Sequence, residues 1–384
     1  MKNGYRIIDT DTHVGPNLET LRQYATPVLL SRWSELDPYL QPVTLGGHHL
    51  SVNPIQYDRT LGEQNTGEVT VRGGISPLKN SVSKKMKIPA AADVSNLNSA
   101  GRLDDMNLEF VDLHLVIPGT FASAATVFDQ EMIVELYGAY HRYIAEYCQA
   151  DTNRIKATIL LPAGNPEKAT QMIHDLGPQS WVAAASVILP EQLSIDDNTL
   201  DPLWRALGEF DIPLLHHSFF YEPPYFPGYR DIWGNVAVAR AAAHPWGAQR
   251  LLAYLTLSGM LDKFRHLRIG FAECSAGWLP AWLNRLQGQG EYMTNALPHR
   301  RLTPLEYAQD GRIFCGIELS EGKDIAASII DIVGDGVLMF SSDYPHNQCE
   351  FPNSPDIVLG WESKIGKQAM TKLMSTNAEN YLRL

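Results

Sequence analysis

Cysteine is scarce in this chain. Only four occur among 384 residues, Cys148, Cys274, Cys315 and Cys349, far apart and with no CxxC pair. That excludes a disulfide-stapled scaffold and a zinc ribbon. It fits a reducing compartment, so a cytoplasmic location is expected. Positive charge is also short, with 31 Lys and Arg against 43 Asp and Glu and a formal net charge of −12. An acidic body repels phosphate backbones and anionic lipid, so neither nucleic acid nor a membrane is expected as a main partner. No run of about 18 apolar residues exists to span a bilayer, and the opening MKNGYRIIDTDTH has no apolar signal core. A fixed repeat is missing, as are a glycine-rich phosphate loop after the first predicted strand and any nicotinamide or flavin fingerprint. What remains is 45% hydrophobic and 19% charged, a composition that builds a large core and argues against disorder.

Against that background a rhythm stands out. Eight short apolar runs, each ending in a polar or turn residue, occupy residues 6–13, 111–117, 155–161, 181–189, 212–217, 267–273, 312–316 and 337–343. Most are continuous rather than alternating, as parallel strands buried on both faces require. Stretches with helical spacing fall between most of them, at 129–147, 166–176, 202–210, 250–264, 277–285 and 324–332, and one at 364–382 closes the chain. This alternation predicts an α/β fold, a (β/α)8 TIM barrel, as a single domain over residues 1–384. The missing phosphate loop weighs against an open doubly wound sheet. Residues 42–98 are rich in Gly, Pro, Asn and Ser and too long for a plain loop. They read as an insertion after the first strand, a lid or a dimerisation segment. Lys79, Lys84, Lys85 and Lys87 cluster there as a solvated face. A second irregular stretch, 219–233 (FFYEPPYFPGYRDIW), follows the fifth run. Its rigid aromatics suit a pocket wall or an interface.

Barrel active sites lie at the C-terminal ends of the strands. The first run ends Asp9-Thr10-Asp11-Thr12-His13, the fifth His216-His217-Ser218, the sixth Ala272-Glu273-Cys274 and the eighth Ser341-Ser342-Asp343-Tyr344-Pro345-His346. Strand side chains alternate, so Asp9, Asp11 and His13 share a face and only one of His216 and His217 reaches the inner face. Carboxylates and imidazoles are ligands for Zn²⁺, Mn²⁺ or Fe²⁺, and buried carboxylates in a group call for a compensating cation. Asp9 lies deeper and reads as structural. His114 reads as a core residue, and Cys274 and Cys315 as small buried fillers. Glu273 is either a catalytic acid or the buried partner of an arginine. In GWLPAWLNRL, the residues Trp278, Leu279, Trp282 and Leu283 suit core packing or an oligomer interface.

Several segments carry a resemblance. They are IIDTDTHV, RLDDMNLEFVDLHLVIPGT, LDPLWRALGEFDIPLLHHS, FRHLRIGFAECSAGWLPAWLNRL, MFSSDYPHNQCEFP and STNAENYL, in this order. Together they resemble the amidohydrolase superfamily, in the branch with aminocarboxymuconate semialdehyde, γ-resorcylate and 5-carboxyvanillate decarboxylases. The resemblance implies one divalent metal, Zn²⁺ foremost and Mn²⁺ as the alternative. Its implied ligands are Asp11, His13, His217 and Asp343, with His216 as the alternative to His217. Asp11 stands where the family's HxH pattern has its first histidine, and some decarboxylases of the branch carry Glu there. Two carboxylates at the metal favour a harder ion. The fourth strand, WVAAASVILPEQ, ends without a lysine to carbamylate, which argues for one metal. The implied catalytic residues are Asp343, Glu273, which replaces a family histidine, and His346 in the DYPH turn. His216, Arg230 and Tyr344 are the expected substrate contacts.

The expected activity is therefore a metal-dependent lyase cleaving a C–C bond, by non-oxidative decarboxylation of a small carboxylated aromatic or enol compound. The alternatives are a hydrolase of an amide, ester or activated C–C bond, and a non-catalytic ligand-binding barrel. In the lyase, Glu273 would act as an acid with a raised pKa. The aromatic loop and the insertion offer surface that predicts a homodimer or larger homo-oligomer.

Overall fold

Eight parallel strands follow one another around a single sheet in chain order. They are β1 (Ile8–Val14), β2 (Leu113–Pro118), β3 (Ile155–Pro162), β4 (Val182–Ile188), β5 (Leu214–His217), β6 (Ile269–Ala272), β7 (Ile313–Ile317) and β8 (Leu338–Phe340). All eight coincide with the apolar runs, and the arrangement is a (β/α)8 TIM barrel. The computed structural model describes residues 1–42, 47–50, 99–119, 121–190, 192–217, 236–346 and 348–384. The aromatic stretch with Arg230, the four-lysine cluster and nearly all of the 42–98 insertion lie outside the described residues. Of that insertion's start, an antiparallel pair of Leu40–Pro42 with His48–Leu50 is described.

The seam between β8 and β1 differs from the other seven. β8 ends earlier than its apolar run, because the chain turns at Asp343, whose φ is 62°. The segment beyond β8 closes the barrel: Asp343 N–H donates to the Asp11 carbonyl at 3.0 Å, and His13 N–H to the Tyr344 carbonyl at 2.7 Å. Closure thus sets Asp343 directly against Asp11 and His13.

Helices cover the outside. The main ones are α1 (Ser99–Glu109), α2 (Gln130–Cys148), α3 (Pro166–Leu176), α4 (Asp201–Glu209), α5 (Val236–Leu257), α6 (Leu279–Tyr292) and α7 (Gly322–Val333). Capping explains several starts: Asp129 accepts from Met132 N–H and Asn165 from Lys168 N–H. Apolar periodicity does not predict α1, because what α1 buries is largely polar: Arg102, Asp105 and Glu109 beside Gly101 and Met106. The helix expected at 250–264 begins earlier, as α5, and stops before Gly259, whose φ of 81° needs glycine. The closing helix expected at 364–382 is broken into Glu362–Ile365, Lys367–Thr371, a π-turn over Lys372–Thr376 and Asn377–Tyr381, with Gly366 (φ 83°) at the first break.

The last of these pieces plugs the N-terminal end of the barrel. Ala378, Tyr381 and Leu382 pack with the inner-barrel residues Ile8, Leu113, Leu215, Phe314 and Met339. Tyr381 donates its hydroxyl to the Leu214 carbonyl at 2.9 Å. Its ring fills the space where Gly270 has no side chain, since a Cβ there would lie 2.5 Å from Cζ. Gly270→Ala is therefore expected to cost about 1–3 kcal/mol through overpacking. Gly336→Ala, whose Cβ meets nothing within 4 Å, is the control. Equal urea midpoints for the two variants would sink this account.

Candidate active site at the barrel mouth

β1 brings the first donors. Asp9, Asp11 and His13 are each 1% exposed. Asp9 lies deepest and ties the seam together, accepting from Asp11 N–H at 3.2 Å and Ser342 N–H at 3.1 Å. Burial raises its carboxyl to about 7, against the pull of these hydrogen bonds.

Above it, side chains from four strand ends converge. His13 Nε2 lies 3.1 Å from Asp11 Oδ1, 3.1 Å from Asp343 Oδ1 and 3.3 Å from His217 Nε2. His217 Nε2 also lies 3.5 Å from Asp11 Oδ1 and 3.2 Å from Glu273 Oε2. One nitrogen proton cannot satisfy this many neighbours. Asp11 Oδ1, Asp343 Oδ2 and His13 Nδ1 are buried without a hydrogen-bond partner, although charges stand close by. The donor atoms point at a shared space rather than at one another. Carboxylate oxygens and imidazole nitrogens so placed fit a divalent cation. Two groups have their ligand atoms all within 4.8 Å of one another: Asp11, His13 and His217, and His13, Asp343 and His346.

The electrostatics follow from this crowding. Burial works against the charged imidazole of His13, but Asp11 and Asp343 outweigh it and raise the ring to about 9. His217 is likewise raised, to about 10, by Asp11 and Glu273 against burial. Both histidines hold Asp11 well below the usual carboxylate range despite its burial. Burial pushes Glu273 up, but His217 overrides it and holds the carboxyl down at about 2. That corrects the expectation of a raised Glu273, which took neighbouring carboxylates as the dominant influence. Among the described residues its buried partner is His217. The other oxygen, Oε1, lies 4.0 Å from Nδ1 of His244 on α5, a residue the sequence reading did not single out.

The remaining expected residues divide. His346 Nδ1 lies 2.6 Å from Asp343 Oδ1, and its ring stacks on His13 with centroids 4.3 Å apart. Its side chain is 46% exposed, so it connects Asp343 to solvent. His217, not His216, joins Asp11 and His13. His216 packs edge-on against Phe271, and burial lowers its ring to about 3. His216 does line a small, partly open pocket beside His217, with Ile117, Pro118, Ala122, Leu160 and Ser186 among the other walls.

Tyr344 is a correction. Expected at the substrate, it is fully buried behind the site, where its hydroxyl donates to Asp105 Oδ2 at 2.6 Å. Its ring packs near Phe351 and faces the Arg102 guanidinium at 5.1 Å. Closure at the β8–β1 seam turns this side chain toward α1. Arg102 itself was missed. It is fully buried, donates to the His13 carbonyl, and donates to Thr12 Oγ1 and His114 Nδ1 at 3.1 Å each. Its own segment gave no signal, because the helix that carries it buries mainly polar side chains.

Known proteins share this fold. Residues 47–384 match the amidohydrolase family. A 5-carboxyvanillate decarboxylase from Novosphingobium aromaticivorans, complexed with manganese and 4-hydroxy-3-methoxy-5-nitrobenzoic acid, shares the fold at TM-score 0.69 and 17% identity, over 99% of this chain and 96% of that one. An amidohydrolase from Mycobacterium avium subsp. paratuberculosis reaches TM-score 0.72 at 16% identity, over 98% and 99%. A dihydroxybenzoic acid decarboxylase from Polaromonas, with bound manganese and 2-nitroresorcinol, gives TM-score 0.62 at 16% identity, over 98% and 96%. No curated protein sequence matches the chain significantly. No helix among the described residues is long and apolar enough to cross a membrane. A family match over most of the chain, on a barrel whose strand ends gather carboxylates and histidines, means that the chain belongs to the amidohydrolase family.

Proposed function

We propose that this chain is a metal-dependent lyase that removes a carboxyl group, without oxidation, from a small carboxylated aromatic or enol compound. The observation that carries the reading is the pair of carboxylates, Asp11 and Asp343, each with an oxygen 3.1 Å from His13 Nε2. A carboxylate at position 11, in place of the first histidine of the HxH pattern, resembles the decarboxylases of the branch more than the hydrolases. Asp11, His13, His217 and Asp343 would hold one divalent ion, Zn²⁺ or Mn²⁺, with the two carboxylates favouring Mn²⁺. When bound, the ion supplies a grip on the substrate's carboxylate and an adjacent oxygen, and stabilises the negative charge left as CO2 departs.

The chain's own residues do the rest. Glu273 delivers a proton to the carbon that loses CO2, so that the C–C bond breaks as a C–H bond forms. His346 carries protons between Asp343 and solvent. Ile117, Pro118, Ala122 and Leu160, beside His216, would flank the substrate. Arg230 supplies a second charge for an anionic substrate. The short Asp343–His346 contact favours a second reading, in which Asp343 takes a proton from water and the chain is a hydrolase.

A panel separates the two. Hydroxybenzoates and carboxymuconates are run with CO2 detection, beside amides, esters and vinylogous diketones. Release of CO2 from the first set is expected; turnover confined to the second, without CO2, would replace the lyase with the hydrolase. Protein that binds neither Zn²⁺ nor Mn²⁺ and turns nothing over would make the barrel a binding module.

The same reading takes the protein as cytoplasmic, with its four cysteines buried and free, and as a homodimer or larger homo-oligomer. In support, Ile325 and Ile332 on one side of α7 are 41% and 54% exposed, and Tyr254 is 45% exposed. Light scattering at micromolar concentration is expected to give at least twice the monomer mass, and a monomer mass refutes this part.

A further inference from the structure

The turn that carries Glu273 leaves ordinary backbone geometry. Glu273 has a φ of 45° and Ser275 a φ of 54°, both left-handed and neither glycine. Each such residue costs on the order of 1 kcal/mol or more and persists only where its surroundings over-determine it. Here the surroundings are two carboxylates from the segment after β7. Ser275 N–H donates to Glu318 Oε1 at 2.9 Å, and its hydroxyl to the same oxygen at 3.2 Å. Ala276 N–H is shared between the two oxygens of Glu321, at 2.9 and 3.0 Å, and Gly277 N–H donates to Glu321 Oε1 at 2.8 Å. Glu318 N–H donates to Glu321 Oε2 at 3.0 Å and links the pair. The carbonyls of the turn are held as well, since Trp278 Nε1 donates to those of Cys274 and Ser275 at 2.9 and 2.8 Å.

Consecutive backbone N–H groups on one side of a turn form a concave anion site, and here those of Ala276 and Gly277 converge on Glu321 while that of Ser275 reaches Glu318. In this chain two internal carboxylates fill it. We infer that Glu321, seconded by Glu318, is a positioning residue for the proton donor Glu273, fixing the strained turn that aims its carboxyl at His217. This rests on the acid role given to Glu273 above. Both carboxylates are partly buried, and burial pushes both above their ordinary range, with the like charges of Glu321 and Glu273 adding to the shift at Glu318. A surface ion pair elsewhere would hold the loop with less expense. The observed arrangement makes sense where the position of the turn matters.

The test uses the Mn²⁺-loaded full chain and four variants. Glu321→Ala is expected to lower kcat by about 10²-fold, the scale of a misplacement of roughly 1 Å, while KM and manganese stoichiometry stay near wild type. Amide exchange at 275–277 should quicken. Added formate, small enough to enter the opened site, should restore part of kcat and slow the exchange again. Glu321→Gln keeps the volume of the side chain and replaces one acceptor by a donor, so it should lose kcat without loss of folding, and it serves if the alanine variant is unstable. Glu321→Asp should recover part of the activity. Glu273→Gln separates this inference from its premise. If Glu273→Gln is inactive and both Glu321→Ala and Glu321→Gln keep wild-type kcat, the positioning role is overturned and the acid role stands. If Glu273→Gln is fully active, both fall. Loss of manganese together with kcat in the Glu321 variants would also overturn the inference, because the defect would then be in the metal site.

Discussion

Replacing His13 by alanine is expected to abolish metal binding and activity together. Its Nε2 is the atom around which the other donors gather, within 3.1–3.3 Å of Asp11, Asp343 and His217. Without the imidazole, Asp11 and Asp343 face each other across a space that holds two negative charges and one histidine. A fall of at least about 10³-fold in kcat/KM, or roughly 4 kcal/mol of transition-state stabilisation, is expected. Metal analysis of dialysed protein checks the assignment without a substrate. Wild-type Mn²⁺ or Zn²⁺ stoichiometry in His13→Ala would reject it.

The second large effect is on stability. Arg102 is fully buried on α1, and its guanidinium bonds to the Tyr147 hydroxyl at 2.8 Å, to Thr12 Oγ1 and His114 Nδ1 at 3.1 Å each, and to the His13 carbonyl. The rings of Tyr147 and Tyr344 lie 5.6 and 5.1 Å from its central carbon. These four acceptors are neutral, so the charge is stabilised by hydrogen bonds and by two aromatic faces. Arg102→Met fills much of the same volume but leaves the acceptors buried and unsatisfied, and on the order of 3–5 kcal/mol should be lost. Lysine should recover little, because a point charge cannot serve a fork of this geometry. Urea denaturation measures the loss, and a wild-type midpoint for Arg102→Met would show that these bonds contribute nothing. Because the His13 carbonyl is one of the four, metal affinity should weaken in the same variant.

These two residues differ in how they could be read. His13 ends an apolar run with a carboxylate two residues before it, a pattern visible along the chain. Arg102 lies in a segment whose helix buries charge, and its partners come from β1, β2, α2 and the turn after β8. Nothing in its own neighbourhood marks it. Tyr344 failed for the same reason: its sequence position beside Asp343 suggested the pocket, but Asp105 and Arg102 draw it the other way.

What the chain determined by itself was the barrel and the strand ends. A strand buried on both faces needs a continuous apolar run, and the residue that ends it at the mouth is free to be polar. Both facts are local, so eight strands and the positions of Asp11, His13, the His216–His217 pair, Glu273 and Asp343 were legible. Tertiary structure decided the rest. It chose His217 over His216, turned Tyr344 inward, and set His217 against Glu273, whose carboxyl is held down despite its burial. It also paired Glu318 and Glu321 with the turn at 275–277. Each of these depends on which side chains face one another across neighbouring strands or the β8–β1 seam. Closing the barrel brings together charges far apart in sequence, and their mutual fields and hydrogen bonds exist only once it has closed.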